Sequence, residues 1–401
     1  MKHIKIIFLG YAVNPLLIGK YSGVSVAGNK MQVNLLQELN KIEDIDLHII
    51  TITPVASFPH DKKIYYKYRK ENINKDLVTN VMPFWNLPIL KQISQSRSVY
   101  RELKRELKNS DINNTILLSF NMFPQVGIPT VKAMKKFRVK AVSLLADLPI
   151  DDAVNRKGIS KWLRKKFDES TKKSILRLNN LIVLNQNAVT QFAPDADFIV
   201  IDGGISSNEI EKKEPDLNTV KKSRNMVYGG SLNQYSGILN LVKAMTFVPD
   251  KDIFLDIYGS GEGEEEIKKL ASNDKRIRFF GRVSNEIMMK KQREAYLLIN
   301  PRPIDDPISM VTFPSKIFEY MLSGTPIIST KLNGFTEEYT DKMFFFCGQT
   351  EKDMAKTILY IMKKNPEELV GYAERAYRFV SEERTWEKQV EKISKYIHDI
   401  I

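Results

Sequence analysis

Apolar and polar positions along the chain alternate between short β-branched runs and longer stretches with helical spacing, with glycine or proline at many of the junctions. Residues 2–9 (KHIKIIFL) read as a first strand closed by Gly10. A loop of small residues over 19–28 (GKYSGVSVAG) leads into an apolar-periodic helix over 29–39, and 47–52 is a second strand. Residues 115–119 and Lys140–Leu145 are further strands, the latter running into Ala146, Asp147, Leu148 and Pro149. Residues 181–184 and 198–201 finish this half, Asp202-Gly203-Gly204 breaks it, and the polar, charged residues 206–224 suit an interdomain linker.

The second half restarts the same alternation. A strand over 226–228 is followed by a Gly229-Gly230-Ser231 turn and a helix over 238–247. A strand over 253–258 precedes Gly259-Ser260-Gly261, one over 277–280 leads into Gly281-Arg282, and a helix covers 286–295. Further on come a strand at 344–346, a helix at 351–364 and a closing amphipathic helix from Trp386, with Val390, Ile393, Tyr396 and Ile397 on the same side. Repeated strand, glycine turn and helix units predict an α/β chain of two doubly wound parallel sheets, hence two Rossmann-like domains facing across a cleft.

The chemistry is expected between Asn300 and Thr330. An apolar run ends there in a Pro-rich acidic loop, helical spacing returns over 314–322, and 325–330 is again a strand. Pro314 suits a first helical turn and Gly324 a helix stop. Such a helix start offers unpaired N–H groups to a phosphate, and Lys316 and Glu319, three residues apart, share one face. A cation with a carboxylate one turn deeper can hold a phosphate and a ribose hydroxyl; the same pair can equally be a surface ion pair. Asp147, at the carboxyl end of a strand, is a second candidate, with a turn or cap aspartate as its alternative.

A chain of 401 residues exceeds one ordinary core. The single cysteine, Cys347, excludes a disulfide framework and a cysteine-based zinc site and fits a reducing cytosol. The apolar run at 4–9 is too short for a secretory segment, and nothing approaches the ~20 apolar residues of a membrane span, so a cytoplasmic, soluble or peripheral protein is expected. Lys+Arg of 61 against Asp+Glu of 48 gives a net charge of +13 and calls for an anionic partner: nucleic acid, a phospholipid surface or a phosphorylated substrate. Two basic stretches carry large apolar residues. Residues 156–167 (RKGISKWLRKKF) set Trp162, Leu163 and Phe167 among six cations and are read as facing an anionic bilayer; 91–108 is read as a helix with its apolar stripe in the core. Asp151-Asp152 and Asp305-Asp306 are read as turns, so no metal is expected, and His3, His48, His60 and His398 form neither a triad nor a metal set.

The order GGS, YGSGE, FFGRVSNE and NP…FPSKIFEYMLSGTPIIST resembles the retaining GT-B nucleotide-sugar glycosyltransferases of family four, across the whole second half. In the first half the likeness rests on the loop at 19–30 and the general layout. The resemblance implies domains of 1–204 and 205–384, with the last helix, 385–401, packing back on the first. It assigns Glu319 to the ribose of a nucleoside diphosphate, and the backbone around Thr312, Phe313, Pro314 and Ser315 to the donor sugar and diphosphate. Arg282 and Val283 would border the base, Gly28 would close over the phosphates, and Gly230, Ser231 and Gly259 belong to the same donor site. Three departures from the family pattern stand out. Val311 stands where the first of two paired glutamates is expected; Ser231 and Ser236 stand where an arginine and a lysine brace the diphosphate; and the first-domain histidine has no counterpart, leaving Asp147 at the corresponding strand end. Lys316, with Arg302 as a second cation, is expected to replace the missing pair.

The function expected from this resemblance is transfer of a sugar, with retention, from a nucleotide-sugar (a UDP-sugar before others) to a hydroxyl of a saccharide or lipid-linked saccharide in bacterial surface polysaccharide biosynthesis. No cofactor or metal and no nucleic acid would be needed. A non-catalytic homologue that binds a nucleotide-sugar or a protein partner is the main alternative; an epimerase would need more carboxylates and histidines.

Overall fold

A computed structural model of the chain describes residues 3–150, 158–210 and 224–401. The Asp151-Asp152 pair, the first two residues of the basic stretch at 156–167 and most of the expected linker lie outside the described residues. The rest divides into two compact units, Met1–Gly203 with Trp386–Ile401, and Gly204–Thr385.

In the first unit the strands are β1 (Ile4–Gly10), β2 (Ile45–Thr51), β3 (Tyr65–Tyr66), β4 (Arg69–Asn72), β5 (Val78–Val81), β6 (Phe84–Trp85), β7 (Thr115–Phe120), β8 (Lys140–Leu145), β9 (Asn180–Val183) and β10 (Asp197–Val200). Eight of them form one sheet in the order β10-β9-β8-β7-β1-β2-β5-β4, parallel except for the β4 edge. Strand β7 is buried along its whole length and β1 nearly so, which explains their continuous apolar reading: a parallel sheet is covered on both faces. The helices are α1 (Val26–Leu39), α2 (Leu90–Lys108), α3 (Pro124–Phe137), α4 (Gly158–Ile175) and α5 (Asn187–Phe192). Helix α3 carries Pro124 at its first position and Pro129 inside, so its periodicity is masked in the sequence. Gly127 is needed there, because a Cβ would lie 2.8 Å from that of Ser174 on α4. The β3–β6 ribbon is antiparallel, with Tyr65 against Trp85 and Tyr66 against Phe84.

The second unit begins with the turn α6 (Ser207–Ile210). Its sheet comprises β11 (Asn225–Gly229), β12 (Phe254–Tyr258), β13 (Ile277–Gly281), β14 (Leu297–Asn300), β15 (Ile327–Ser329) and β16 (Phe344–Phe345). All pairs are parallel and the order is β13-β12-β11-β14-β15-β16, the doubly wound arrangement expected from the sequence. Helices α7 (Ile238–Ala244), α8 (Glu264–Asn273), α9 (Asn285–Glu294), α10 (Pro307–Val311), α11 (Lys316–Leu322), α12 (Glu351–Ile361) and α13 (Pro366–Arg378) complete it. Its core joins Met226, Leu241, Ile257, Leu297 and Ile358 around the sheet. Helix α14 (Trp386–Ile400) returns to the first unit and packs on α1, where His398 Nε2 lies 3.0 Å from Asp44 and Lys140 donates to the carbonyl of Ile400 at 2.7 Å.

In both sheets the strand order reverses beside the first strand, between β1 and β7 and between β11 and β14. Loops diverge there at the carboxyl ends, which opens the crevice where such sheets take ligands. Gly259 holds the second crevice together. Its φ is +144°, and a Cβ would lie 1.8 Å from the carbonyl oxygen of Gly230. Gly259→Ala should therefore lower the stability of the second unit by about 2 kcal/mol or more. Urea unfolding followed by a probe in that unit checks this; an unchanged midpoint would contradict it.

Candidate active site

The hollow at the carboxyl end of β11 and β14 has a volume of about 400 Å3. It gathers Gly230, Ser231, Arg302, Phe313, Pro314, Ser315, Lys316 and Glu319 of the residues expected from the sequence and Ser236, one of the departures from the family pattern, together with Tyr228, Tyr235 and Gln292, which the sequence did not single out. Gly259, Arg282, Val283 and Thr312 are not on its lining. Gly259 supports the wall, Arg282 is exposed beyond the end of β13, and Thr312 acts through Arg302, whose guanidinium donates to its hydroxyl at 3.1 Å. The side chain of Phe313 is buried in a ring cluster with Phe318, Phe335 and Tyr339, so it anchors the loop from behind.

Helix α11 is shorter than the spacing suggests. It starts at Lys316, and its first backbone bonds run from Ile317 to Pro314 and from Phe318 to Ser315, so Pro314 precedes the helix. Part of the expected acidic loop is instead helix α10, capped by Asp306, whose carboxylate accepts from the amides of Ile308 at 2.9 Å and Ser309 at 3.4 Å. That cap accounts for one member of the Asp305-Asp306 pair. Val311, at the end of α10, is buried.

From α11 the Tyr320 hydroxyl accepts from the Gly229 amide at 3.1 Å and lies 3.3 Å from its carbonyl oxygen, which fixes the helix to the end of β11. Lys316 projects over the same strand end. Its Nζ is 4.3 Å from the ring centroid of Tyr228 and 5.9 Å from that of Tyr320. The residue keeps a partly open surface, yet its ammonium is enclosed by protein, and that enclosure together with Arg302 pulls its pKa down to about 7, with Glu319 opposing. Enclosure lowers the Arg302 pKa as well, and the Arg302 Nε is buried with no acceptor among the described residues. Two cations share a site that lacks the hydrogen bonds to satisfy them, which is the electrostatic complement of an anion.

The corresponding hollow of the first unit, about 200 Å3, is lined by polar groups: Asn29, Gln32, Thr53, Gln95, Asn121, Gln125 and Asp147 among them, with Gly28 and Tyr11. Gly28 is placed differently from the expected loop. Helix α1 begins at Val26, Ser25 caps it, and the Gly28 amide donates to the Ser25 hydroxyl at 3.1 Å within the first turn. Asn121, at the end of β7, holds a left-handed φ of 60° that asparagine tolerates. Its Oδ1 accepts from the amides of Ala146 and Asp147 at 2.8 and 2.9 Å, and its Nδ2 donates to the Asp147 carboxylate at 3.2 Å. Asp147 is open to solvent by surface but ringed by protein on most sides; this enclosure raises its pKa and the Asn121 bond opposes the rise. Gln125 Oε1 is buried without a partner among the described residues, beside the buried Tyr11 hydroxyl. An unsatisfied group in the same hollow as a carboxylate suits a ligand rich in hydroxyls.

Among the described residues no group of three or more His, Cys, Asp or Glu side chains is placed to hold a metal, and no helix is long and apolar enough to cross a membrane.

Residues 223–364 match the family described as glycosyl transferases group 1, in agreement with the resemblance read from the sequence. No curated protein matches the chain by sequence. Its fold is that of several solved structures. Sucrose-phosphate synthase from Thermosynechococcus elongatus superposes with a TM-score of 0.68 at 14% identity, over 99% of both chains. HepE of Anabaena in complex with UDP gives 0.66 at 14% identity, over 99% of this chain and 100% of that one. The lipopolysaccharide outer core galactosyltransferase WaaB gives 0.64 at 14%, with the same coverage. These neighbours are GT-B glycosyltransferases, and the two parallel-sheet units have that fold.

The Lys316 environment has a measurable sign. A lysine with a folded pKa near 7 and an ordinary unfolded value near 10.4 leaves the unfolded chain holding more protons between the two. Stability should therefore rise with pH across that window, by up to ~1.4 kcal/mol per unit. Lys316→Met should be more stable than the parent at pH 6, with the gain shrinking toward pH 10. Unfolding midpoints of the two proteins across that range provide the check; parallel profiles would show that Lys316 is not enclosed as described.

Proposed function

We propose that the protein transfers a sugar, with retention, from a nucleotide-sugar, in the first instance a UDP-sugar, to a hydroxyl of a saccharide or lipid-linked saccharide. The observation that carries this reading is the pairing of Lys316 and Arg302 at the carboxyl ends of β11 and β14. Diphosphate is the anion it suits. Two positive groups already in place stabilise charge as it develops on the leaving phosphate and need no reorganisation at that moment. The diphosphate in turn holds the Lys316 proton. Glu319, one turn further along α11 on the same lining, is assigned to the ribose hydroxyls, and the backbone at 312–315 to the sugar. UDP bound to HepE, and UDP-glucose bound to the same protein, support a UDP donor by analogy of fold.

The cations that the family places at Ser231 and Ser236 would thus be supplied by Lys316 and Arg302, from the same lining. Gly230 brings the backbone close to them: a Cβ there would stand 3.7 Å from the Lys316 Nζ. The first-unit hollow is assigned to the acceptor, whose hydroxyl Asp147 orients from the support of Asn121. The departing phosphate takes the acceptor's proton, so the reading needs no separate base and no metal. Association with the inner face of the cell membrane, in surface polysaccharide assembly, is supported by α4, where Ile159 and Trp162 are 77% and 58% exposed beside Lys161 and Lys165.

A panel of nucleotide-sugars tests the assignment. One UDP-sugar should raise the melting temperature, and Lys316→Ala and Glu319→Ala should each abolish the shift. Asp147→Asn should keep the shift while lowering turnover about 100-fold, and excess EDTA should leave turnover intact. Absence of any stabilisation at millimolar donor would refute the donor site. Burial of Val311, where the family carries a glutamate, favours a second reading, a binder without turnover. Stabilisation by a donor with neither transfer nor hydrolysis would select it.

A further inference from the structure

The first unit contains a larger hollow that the assignments above leave unused. It is a groove of about 710 Å3 walled by α2, α3 and α4, within the ~300–1,000 Å3 range of sites that enclose small ligands. Ile89, Ile93, Ile128, Leu163 and Phe167 give it an apolar lining. Its back wall is shared with the polar hollow. Lys91 and Gln95 of α2 line one side while Gln92, Ile93 and Ser96 line the other. Phe123 completes that wall, with its ring 6.2 Å from Tyr11 in the polar hollow and 5.4 Å from Phe167 in the groove.

The charges along the groove are of one sign. Arg97, Lys132, Arg164 and Lys166 line it and, among the described residues, no carboxylate does. Arg164 bonds to Asp168 at 2.9 Å and Lys166 to Glu169 at 3.1 Å; among the described residues Arg97 and Lys132 have no such partner. At the start of α2, Ile89 holds a φ of 66°, a conformation that strains a β-branched residue and that glycine would take freely. The strained residue is 59% exposed and lines the groove, so the backbone keeps an apolar side chain at its mouth. Apolar walls with unpaired cations describe the complement of an amphiphile: one hydrocarbon chain and one anionic head.

We propose that the groove binds a single-chain lipid phosphate, its chain against Ile93, Ile128, Leu163 and Phe167 and its phosphate at Arg97 and Lys132. Resting on the transferase reading, this lipid is the anchor of the acceptor, held on the far side of the α2 wall that the groove shares with the polar hollow. The site differs from docking on a bilayer, because a single lipid molecule in solution can fill it.

Titration calorimetry of the full chain with dodecyl phosphate below its micelle concentration tests the proposal. One molecule per chain should bind, at least tenfold more tightly than dodecanol, and inorganic phosphate should not bind at millimolar concentration. Arg97→Glu with Lys132→Glu should weaken binding at least tenfold. Ile89→Gly should weaken it several-fold while holding or raising the melting temperature, which separates loss of the site from loss of the fold. Equal binding of dodecyl phosphate and dodecanol, indifference to the charge reversal, or association with anionic vesicles alone would overturn the proposal, the last in favour of bilayer docking. Stabilisation by a UDP-sugar, measured on the same proteins, should be unaffected. If lipid phosphate binds and no nucleotide-sugar does, the groove stands and its link to sugar transfer falls.

Discussion

Like charges that share one hollow are costly, and the second unit is arranged around such a pair, with the carboxylates of Glu319 and Asp306 opposing only part of that cost. Lys316 and Arg302 repel each other in a partly dry hollow, where Coulomb interactions are only weakly screened. Several features hold them there. The Tyr228 and Tyr320 rings offer their negative faces to Lys316, Thr312 takes one guanidinium bond, and the Tyr320 hydroxyl ties α11 to the end of β11. The rigid parallel sheet supplies the rest. A site that flexed would let the two cations part and lose the field that an incoming anion would meet.

The first unit solves a related problem with the opposite sign. A single carboxylate, Asp147, is held at a strand end by one asparagine that satisfies two amides and one carboxylate oxygen together. Asn121 does this from a backbone conformation few residues tolerate, which ties the identity of that residue to its place. Both units therefore put these charged groups at the carboxyl ends of a doubly wound sheet, at or next to its switch point, and both brace them from an adjoining strand or helix. The fold sets where ligands gather, and the residues at the strand ends set which charge they meet.

Much of this architecture was legible in the amino-acid order. Central strands of a parallel sheet are buried on both faces, so β1, β7, β8, β11 and β14 announce themselves as apolar runs followed by glycine or a polar residue. Where a second physical demand competes with the pattern, legibility fails. Helix α3 is hidden by Pro129 and by a glycine required for contact with α4; α10 is hidden by its prolines and acids; and the β3–β6 ribbon is too short to alternate visibly. Gly28 looked like loop because glycine usually is, yet Ser25 starts the helix three residues earlier. At the site, spacing placed Lys316 and Glu319 on one face, but enclosure of Lys316 depends on Tyr228, which is 88 residues away in sequence (316 − 228) and invisible to local pattern. Asn121 and Tyr11 carried a weaker signal, each a polar residue directly after a buried strand.

Helix α14 belongs to the unit that begins the chain, although all of the second unit lies between them in sequence. On the ribosome this imposes an order. The residues of the second unit emerge as one continuous block and can close their core as soon as they are free, since domains generally fold as units during synthesis. The first unit has to wait. Until α14 is made, the part of α1 on which it packs stays uncovered, and Asp44 and Lys140 lack their partners. The unit that comes earlier in the sequence is thus finished later than the one that follows it, and for that interval the face of α1 under α14 is open to solvent.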